Sequence, residues 1–307
     1  MKQMGETAAA LDRPHLDATA MSTMVVLCAL WGLQQVAIKV ANAGISPVLQ
    51  AGLRSAGAAV LIWIWAATRG IRLVDRNTPM GLAILIGVLF GAEFLLIYQG
   101  LTFTTASRSV ILLYTAPFFV AIGAHLFIPG ERLRLLQWFG LASAFGGIVV
   151  TFGDALRLPT RHELIGDAMI ICAAALWAAT TVVIKATRLR TLEPSKTLFY
   201  QLAVSGAALP IAAVALGEPG ITAVTPLVAA SLFYQTVIVA FMSYLAWFWL
   251  VKHYPASRLS AFSFLTPLFG VSAGALLLSE PITTALITAL MLVTAGIYLV
   301  NRRPSGE

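Results

Sequence analysis

The sequence predicts an all-α integral membrane protein of ten transmembrane helices built from two inverted five-helix repeats, and three observations carry that expectation. Hydrophobic residues make up 59% of the 307 and charged residues only 11%, against about 45–50% and about 25% in soluble domains. With a mean hydropathy of +0.87, such a chain cannot cover a water-facing surface of this size. Apolar runs of about 20 residues, the length that crosses hydrocarbon, follow one another with short gaps. Two motifs, finally, recur at nearly one offset in the second half.

The first span is predicted at 22–41, after a polar tail over 1–20 that carries Lys2, Glu6, Asp12, Arg13, His15 and Asp17, lacks an apolar core and is read as disordered. The run ends without a small-residue cleavage site, so it is retained as a span. The second follows at 46–68 and is closed by Arg69, Arg72 and Arg76. The third (80–100) and fourth (104–128) are separated only by residues 101–103, and Arg132 and Arg134 open the fifth at 132–153. Arg157 and Arg161 precede the sixth at 164–187, and Arg188, Arg190 and Lys196 separate it from the seventh at 195–216. The eighth (225–250), ninth (255–278) and tenth (282–301) complete the set, with Lys252 and Arg258 around the gap between eighth and ninth. Hydrocarbon offers no partner for a peptide amide, so each run satisfies its own as a helix.

Basic residues orient the bundle. With both termini cytoplasmic, the inner segments hold Lys2, Arg13, Arg69, Arg72, Arg76, Arg132, Arg134, Lys185, Arg188, Arg190, Lys196, Lys252, Arg258, Arg302 and Arg303, and the outer ones only Lys39, Arg108, Arg157 and Arg161. The net charge of +7 is thus spread over short gaps rather than gathered in one patch with aromatics, which argues against nucleic acid as a partner. Cys28 and Cys172 both lie in apolar runs and read as small buried hydrophobes, not as a disulfide framework or a metal site.

Leu30-Trp31 is followed by Lys39 eight residues after the tryptophan, and Leu176-Trp177 by Lys185 at the same spacing, 146 positions later. Ala106-Ser107-Arg108 precedes Pro117, and Ala256-Ser257-Arg258 precedes Pro267, both 150 positions later. Two matches at nearly one offset indicate duplication, with units at 21–154 and 155–303. An odd number of spans per unit forces the second to enter the membrane in the opposite sense. Inverted repeats around a midplane site are how many carriers alternate their access.

These paired features, with Glu131 and Glu280 after the fourth and ninth spans, resemble the paired EamA repeats of the drug/metabolite transporter superfamily over about residues 22–301. Within it the chain is most similar to YddG-type exporters of aromatic amino acids. The resemblance implies a bacterial inner-membrane exporter of small organic solutes, with amino acids as substrate, the lipid bilayer as surroundings, no cofactor and no metal. It leaves the oligomer open, with a monomer slightly favoured.

Arg54 and Glu93 fall inside predicted spans, where a charge costs at least about 2.5–3.5 kcal/mol on insertion scales. The repeat aligns Arg54 with Gln201 and Glu93 with Ser243. Neither charge is duplicated, which favours a role in the site or in gating over a scaffold role, although a structural Arg54–Glu93 pair stays open. Trp31, Gln34 and Gln35 share one helix face, and Trp177, Thr180 and Thr181 repeat that geometry. Tyr98, Gln99, Tyr114, Gln201, Tyr234, Gln235, Tyr244 and Trp247 extend the candidate polar and aromatic lining. A polar stripe flanked by indoles suits a small amphiphile.

Lys39 and Lys185 end their spans and either snorkel to the interface or act as gates. Pro117 and Pro267 are hinge candidates because each lacks an amide hydrogen bond. Trp63, Trp65, Trp138, Trp249 and Tyr254 read as interfacial anchors. In the fifth span, Ala142 with Gly146 and Ser143 with Gly147 form a close-packing face that joins either the two halves or two protomers. His15, His125, His162 and His253 are scattered and no nucleotide-binding or nucleophile motif occurs, so an enzyme is disfavoured. A proton-coupled exporter of other metabolites or drugs, and a weakly selective channel, stay open as alternatives.

Overall fold

The computed structural model describes residues 15–76, 78–153, 158–278 and 284–302. Glu280, Arg157, Arg303 and the tail up to residue 14 lie outside the described residues. All regular structure among those residues is helical, and nine segments are long and apolar enough to cross a membrane. They are α1 (Ala18–Ala41), α2 (Pro47–Thr68), α3 (Met80–Phe103), the pair α4 (Ala106–Leu113) and α5 (Ala116–Phe127), α6 (Leu135–Phe152), α7 (Arg161–Ala186), α8 (Pro194–Ala215), a composite of α9 (Pro226–Phe233), a π-helix (Tyr234–Ser243) and α10 (Tyr244–His253), and, after α11 (Ala256–Phe262) and α12 (Leu265–Leu278), α13 (Thr284–Asn301).

Three expectations need correction. The tail is ordered from His15: Leu16 is buried and Asp17 caps α1, accepting from the Ala20 amide at 2.8 Å. The fourth and ninth spans are each broken in two, at Tyr114–Thr115 and at Ser263–Phe264. Pro117 and Pro267 stand in the first turn of the second piece, where a missing amide N–H breaks no helical hydrogen bond. The eighth span contains a π-helix, whose wider turn is a local departure that α-helices adopt mostly at functional places.

Large apolar side chains such as Val26, Val60, Leu126, Phe139, Ile211 and Val214 point outward, and the interior is filled by Leu, Ile and Val together with Ala, Ser and a few aromatics. An apolar outside suits lipid, and small residues let the helices approach closely where they cross. Packing follows a regular scheme: α2 lies against α8 and α6 against α13, α3 against α7 and α8, and α5 against α7, while α1 contacts α12, α9 and the π-helix.

The α6–α13 crossing is the tightest of these contacts. A Cβ on Gly296 would sit 2.4 Å from the Gly140 carbonyl oxygen, and one on Gly147 would sit 2.8 Å from that of Ala289. Ser143 adds a hydrogen bond to the Leu292 carbonyl at 3.1 Å. The small-residue face at Ser143 and Gly147 therefore joins the two halves of this chain, whereas a Cβ on Gly146 would meet nothing. Replacing Gly296 by Val is expected to overpack this crossing and cost about 1–3 kcal/mol, read as a lower thermal midpoint of the detergent-solubilised protein; an unchanged midpoint would refute the contact.

Candidate functional site

Trp31 stands halfway along α1 and donates from its indole Nε1 to Ser243 Oγ at 2.9 Å, the last residue of the π-helix. Ser243 in turn donates to the Val239 carbonyl at 2.6 Å. The Trp31 ring meets Trp247 edge-on at 5.7 Å and Tyr244 at 6.4 Å, and Trp177 of α7 stacks on Trp247 at 6.2 Å. Phe90 of α3 closes this wall against Tyr244 at 6.1 Å. Tyr234 and Gln235 fasten the π-helix to α1 by donating to the Leu30 and Ala37 carbonyls at 3.0 and 3.4 Å.

Arg54 is fully buried beside this aromatic wall, its guanidinium 4.3 Å from the centroid of the Phe94 ring. None of its three side-chain nitrogens has a hydrogen-bond partner in the protein. Glu93, also buried, is within electrostatic reach of Arg54, yet its Oε2 is likewise without a partner and the two form no ion pair. The structural pairing that the sequence left open is therefore not made. Tyr98, with an unpartnered hydroxyl, lies within electrostatic reach of the same guanidinium, and the Tyr244 hydroxyl faces both that guanidinium and Gln34, although neither closes an ordinary hydrogen bond to Arg54. Five helices, α1, α2, α3, α7 and α10, thus contribute to a buried centre that holds one guanidinium, one carboxyl group, two phenols and an indole wall.

Other candidates lie elsewhere. Gln201 is fully buried with both amide atoms unpartnered. Gly52 abuts Pro210 and Gly206 abuts Ala56, which puts Arg54 level with a point on α8 about seven residues, or ~10 Å, from Gln201. The repeat-related positions do not share one site. Thr180 and Thr181 donate to the carbonyls of Leu176 and Trp177 in their own helix, so their protons are spent locally. Gln35 is exposed, Gln99 is partly so, and Tyr114 packs against Phe264 at 6.4 Å. Cys172 is exposed, not buried as expected, and lines an apolar groove of about 440 Å³ with Leu96, Leu164, Ile165, Ala168 and Met169. That groove holds no chemistry for binding a polar solute.

Two polar clusters close the ends of the bundle, and sequence reading had credited only Lys185 among their members. At one end Arg108 pairs with Asp167, which also accepts from Thr104 Oγ1 at 2.8 Å. There too the 42–46 and 216–225 connections are zipped by main-chain bonds: Ser46 N–H to the Gly220 carbonyl and Thr222 N–H to the Gly44 carbonyl, both at 2.9 Å. Any side chain at Gly44 would collide with the Ala223 carbonyl oxygen at 1.9 Å. Glu218 accepts from the amides of Val48 and Leu49 at 3.0 and 3.1 Å, capping α2 from the other half.

At the opposite end Lys185 does not snorkel: it is buried, donates to the Tyr254 carbonyl at 2.8 Å and lies 3.7 Å from Glu131. Glu131 accepts from Ser257 Oγ at 3.4 Å, and Tyr254, fully buried and no interfacial anchor, donates to Asp17 at 2.7 Å. Arg258 meets His15, and Lys196 pairs with Asp75. Lys39, the repeat partner of Lys185, is exposed. The signal for these clusters was the Ala-Ser-Arg motif itself, which opens α4 and α11 where each begins its broken span.

The profile of the EamA-like transporter family matches this chain twice, over residues 18–153 and 164–302. The chain belongs to the EamA-like transporter family. Among relatives of this EamA protein, the Bacillus subtilis transporter YoaV is 23% identical over 280 residues, covering 91% of this chain and 95% of its own. An Escherichia coli protein named as a probable amino-acid metabolite efflux pump is 27% identical over 290 residues, covering 90% and 92%. A solved crystal structure at 18% identity superposes with a TM-score of 0.80 over 92% of this chain and 96% of that one, which supports the fold. The EamA chain is accordingly a multi-pass membrane transporter.

Asp167→Asn is expected to take away the carboxylate paired with the buried Arg108 guanidinium and destabilise the protein by about 2–3 kcal/mol, somewhat below a deep buried pair because the cluster lies at the bundle's end. A double-mutant cycle with Arg108→Gln, read by thermal unfolding in detergent, should recover part of that loss; strict additivity would show that the pair carries no coupling.

Proposed function

We propose that this chain is a bacterial inner-membrane exporter of small organic solutes, amino acids foremost, that alternates its access around the Arg54–Glu93–Trp31 centre. Two inverted five-helix units, 21–154 and 155–303, would rock against each other, with both termini cytoplasmic. The packing scheme supports this reading because it maps onto itself when the halves are exchanged: the third span packs on the sixth and seventh as the eighth does on the first and second. The second span against the seventh, and the fifth against the tenth, are their own images. The two family matches divide the chain in the same place.

The observation that carries the proposal is the buried centre itself, where charges without protein partners face an aromatic wall built by both halves. Transport sites of this kind form at the interface between repeats. Amino acids come first because the Escherichia coli and Salmonella typhimurium relatives carry the name of amino-acid metabolite efflux pumps. On the proposed orientation, the Gly44–Gly220 zipper closes the outer mouth and the Lys185–Glu131 cluster the inner one. The carboxyl group of Glu93, buried at mid-span, supports proton coupling as the second reading.

Uptake of labelled L-phenylalanine and L-leucine into proteoliposomes tests this. Saturable flux with trans-stimulation, indifferent to an imposed pH gradient and slowed about tenfold or more by Glu93→Gln, is the expected result. A rate driven by the gradient in wild type and indifferent to it in Glu93→Gln would assign proton coupling. Flux that never saturates would replace the carrier by a pore.

A further inference from the structure

Arg54 and Glu93 present a buried guanidinium and a buried carboxyl group that lie within electrostatic reach of each other and close no ion pair. Arg54 lies over the ring of Phe94, the residue that follows Glu93 on α3, its guanidinium 4.3 Å from that ring's centroid. A pair meant only to neutralise itself would close to contact, since buried charges gain most from a direct hydrogen-bonded bridge. Here all three guanidinium nitrogens and one carboxylate oxygen are left without a protein partner. The unpartnered Tyr98 hydroxyl adds a neutral donor beside them.

We infer that Arg54 and Glu93 are the two poles of a zwitterion receptor, Arg54 taking a free carboxylate and Glu93 a free ammonium on the same small molecule, with its side chain against Trp31, Phe90 and Tyr244. This rests on the transporter reading above and narrows it. A planar guanidinium fork matches a carboxylate bidentately, and the ammonium lies near both Glu93 and the faces of the aromatic wall. An organic acid would leave Glu93 as an unanswered buried anion, and a simple amine would leave Arg54 as an unanswered buried cation. A molecule with both charges on one carbon answers both at once. The receptor therefore rejects ligands that lack either charged group, whatever their side chain.

Binding to the purified full-length protein, followed by the fluorescence of the Trp31, Trp177 and Trp247 cluster, tests this with three probes: L-phenylalanine, L-phenylalaninamide and N-acetyl-L-phenylalanine. In wild type each single-charge analogue should bind about 10- to 100-fold more weakly than the parent, the range that one lost charged hydrogen bond spans. Arg54→Gln should shrink the gap between acid and amide to within about threefold while the acetyl derivative stays discriminated, and Glu93→Gln should do the converse. The wild-type series needs no variant, so a misfolded mutant does not blunt it. Equal binding of all three probes to wild type, or equal weakening of all three by Arg54→Gln, overturns the assignment. If a solute that lacks one of the two charged groups is carried saturably in the proteoliposome assay while neither L-phenylalanine nor L-leucine is bound or carried, the receptor falls and the transporter stands. If nothing is carried, both fall.

Discussion

A peptide amide in hydrocarbon has no water to turn to, and that constraint dictates where this chain is allowed to stop being α-helical. Its departures are few and all lie inside the bundle. The fourth and ninth spans break just before a proline, and the freed groups are bridged by tight turns such as Thr115 N–H to the Leu112 carbonyl at 3.2 Å and Thr266 N–H to the Ser263 carbonyl at 2.9 Å. The eighth span opens into a π-helix that Tyr234, Gln235 and Ser243 pin to α1 and to itself. Irregular backbone at membrane depth thus surrounds the buried centre, where protein supplies the partners that lipid does not.

The same constraint explains the division of labour among polar side chains. At the ends of the bundle charges are answered: Arg108 by Asp167, Lys185 by Glu131 and the Tyr254 carbonyl, Lys196 by Asp75. In the middle they are not, and Arg54 and Glu93 stay apart although electrostatics would draw them together. Charge pairing is thus concentrated at the two ends of the bundle, and the centre keeps polar groups that the protein itself does not satisfy.

Much of the architecture was legible from periodicity and composition, because a span announces itself by length and its neighbours by charge. Arg54 and Glu93 were legible for the same reason, as charges out of place. What the sequence hid were contacts that depend on which way a helix is rotated. Thr180 and Thr181 lie on the right face by spacing but bond within their own helix. Gln35, predicted beside Gln34, is exposed. Asp167 carries no signal of its own in the sequence, and its pairing with Arg108 depends on α4 beginning beside the start of α7. Gln201 aligns with Arg54 by repeat arithmetic, but α2 and α8 run antiparallel, and their contacts at Gly52–Pro210 and Ala56–Gly206 set the two positions apart.

The zipper between the 42–46 and 216–225 connections is written in main-chain atoms, and the cluster at the other mouth is written in side chains. Backbone bonds are indifferent to most substitutions apart from the demand for glycine at positions 44 and 220, the first for space and the second for its positive φ. A cluster of side chains can be lost one residue at a time. Mutational drift therefore has more routes into the contacts of Lys185 and Glu131 than into the main-chain bonds between Gly44, Ser46, Gly220 and Thr222.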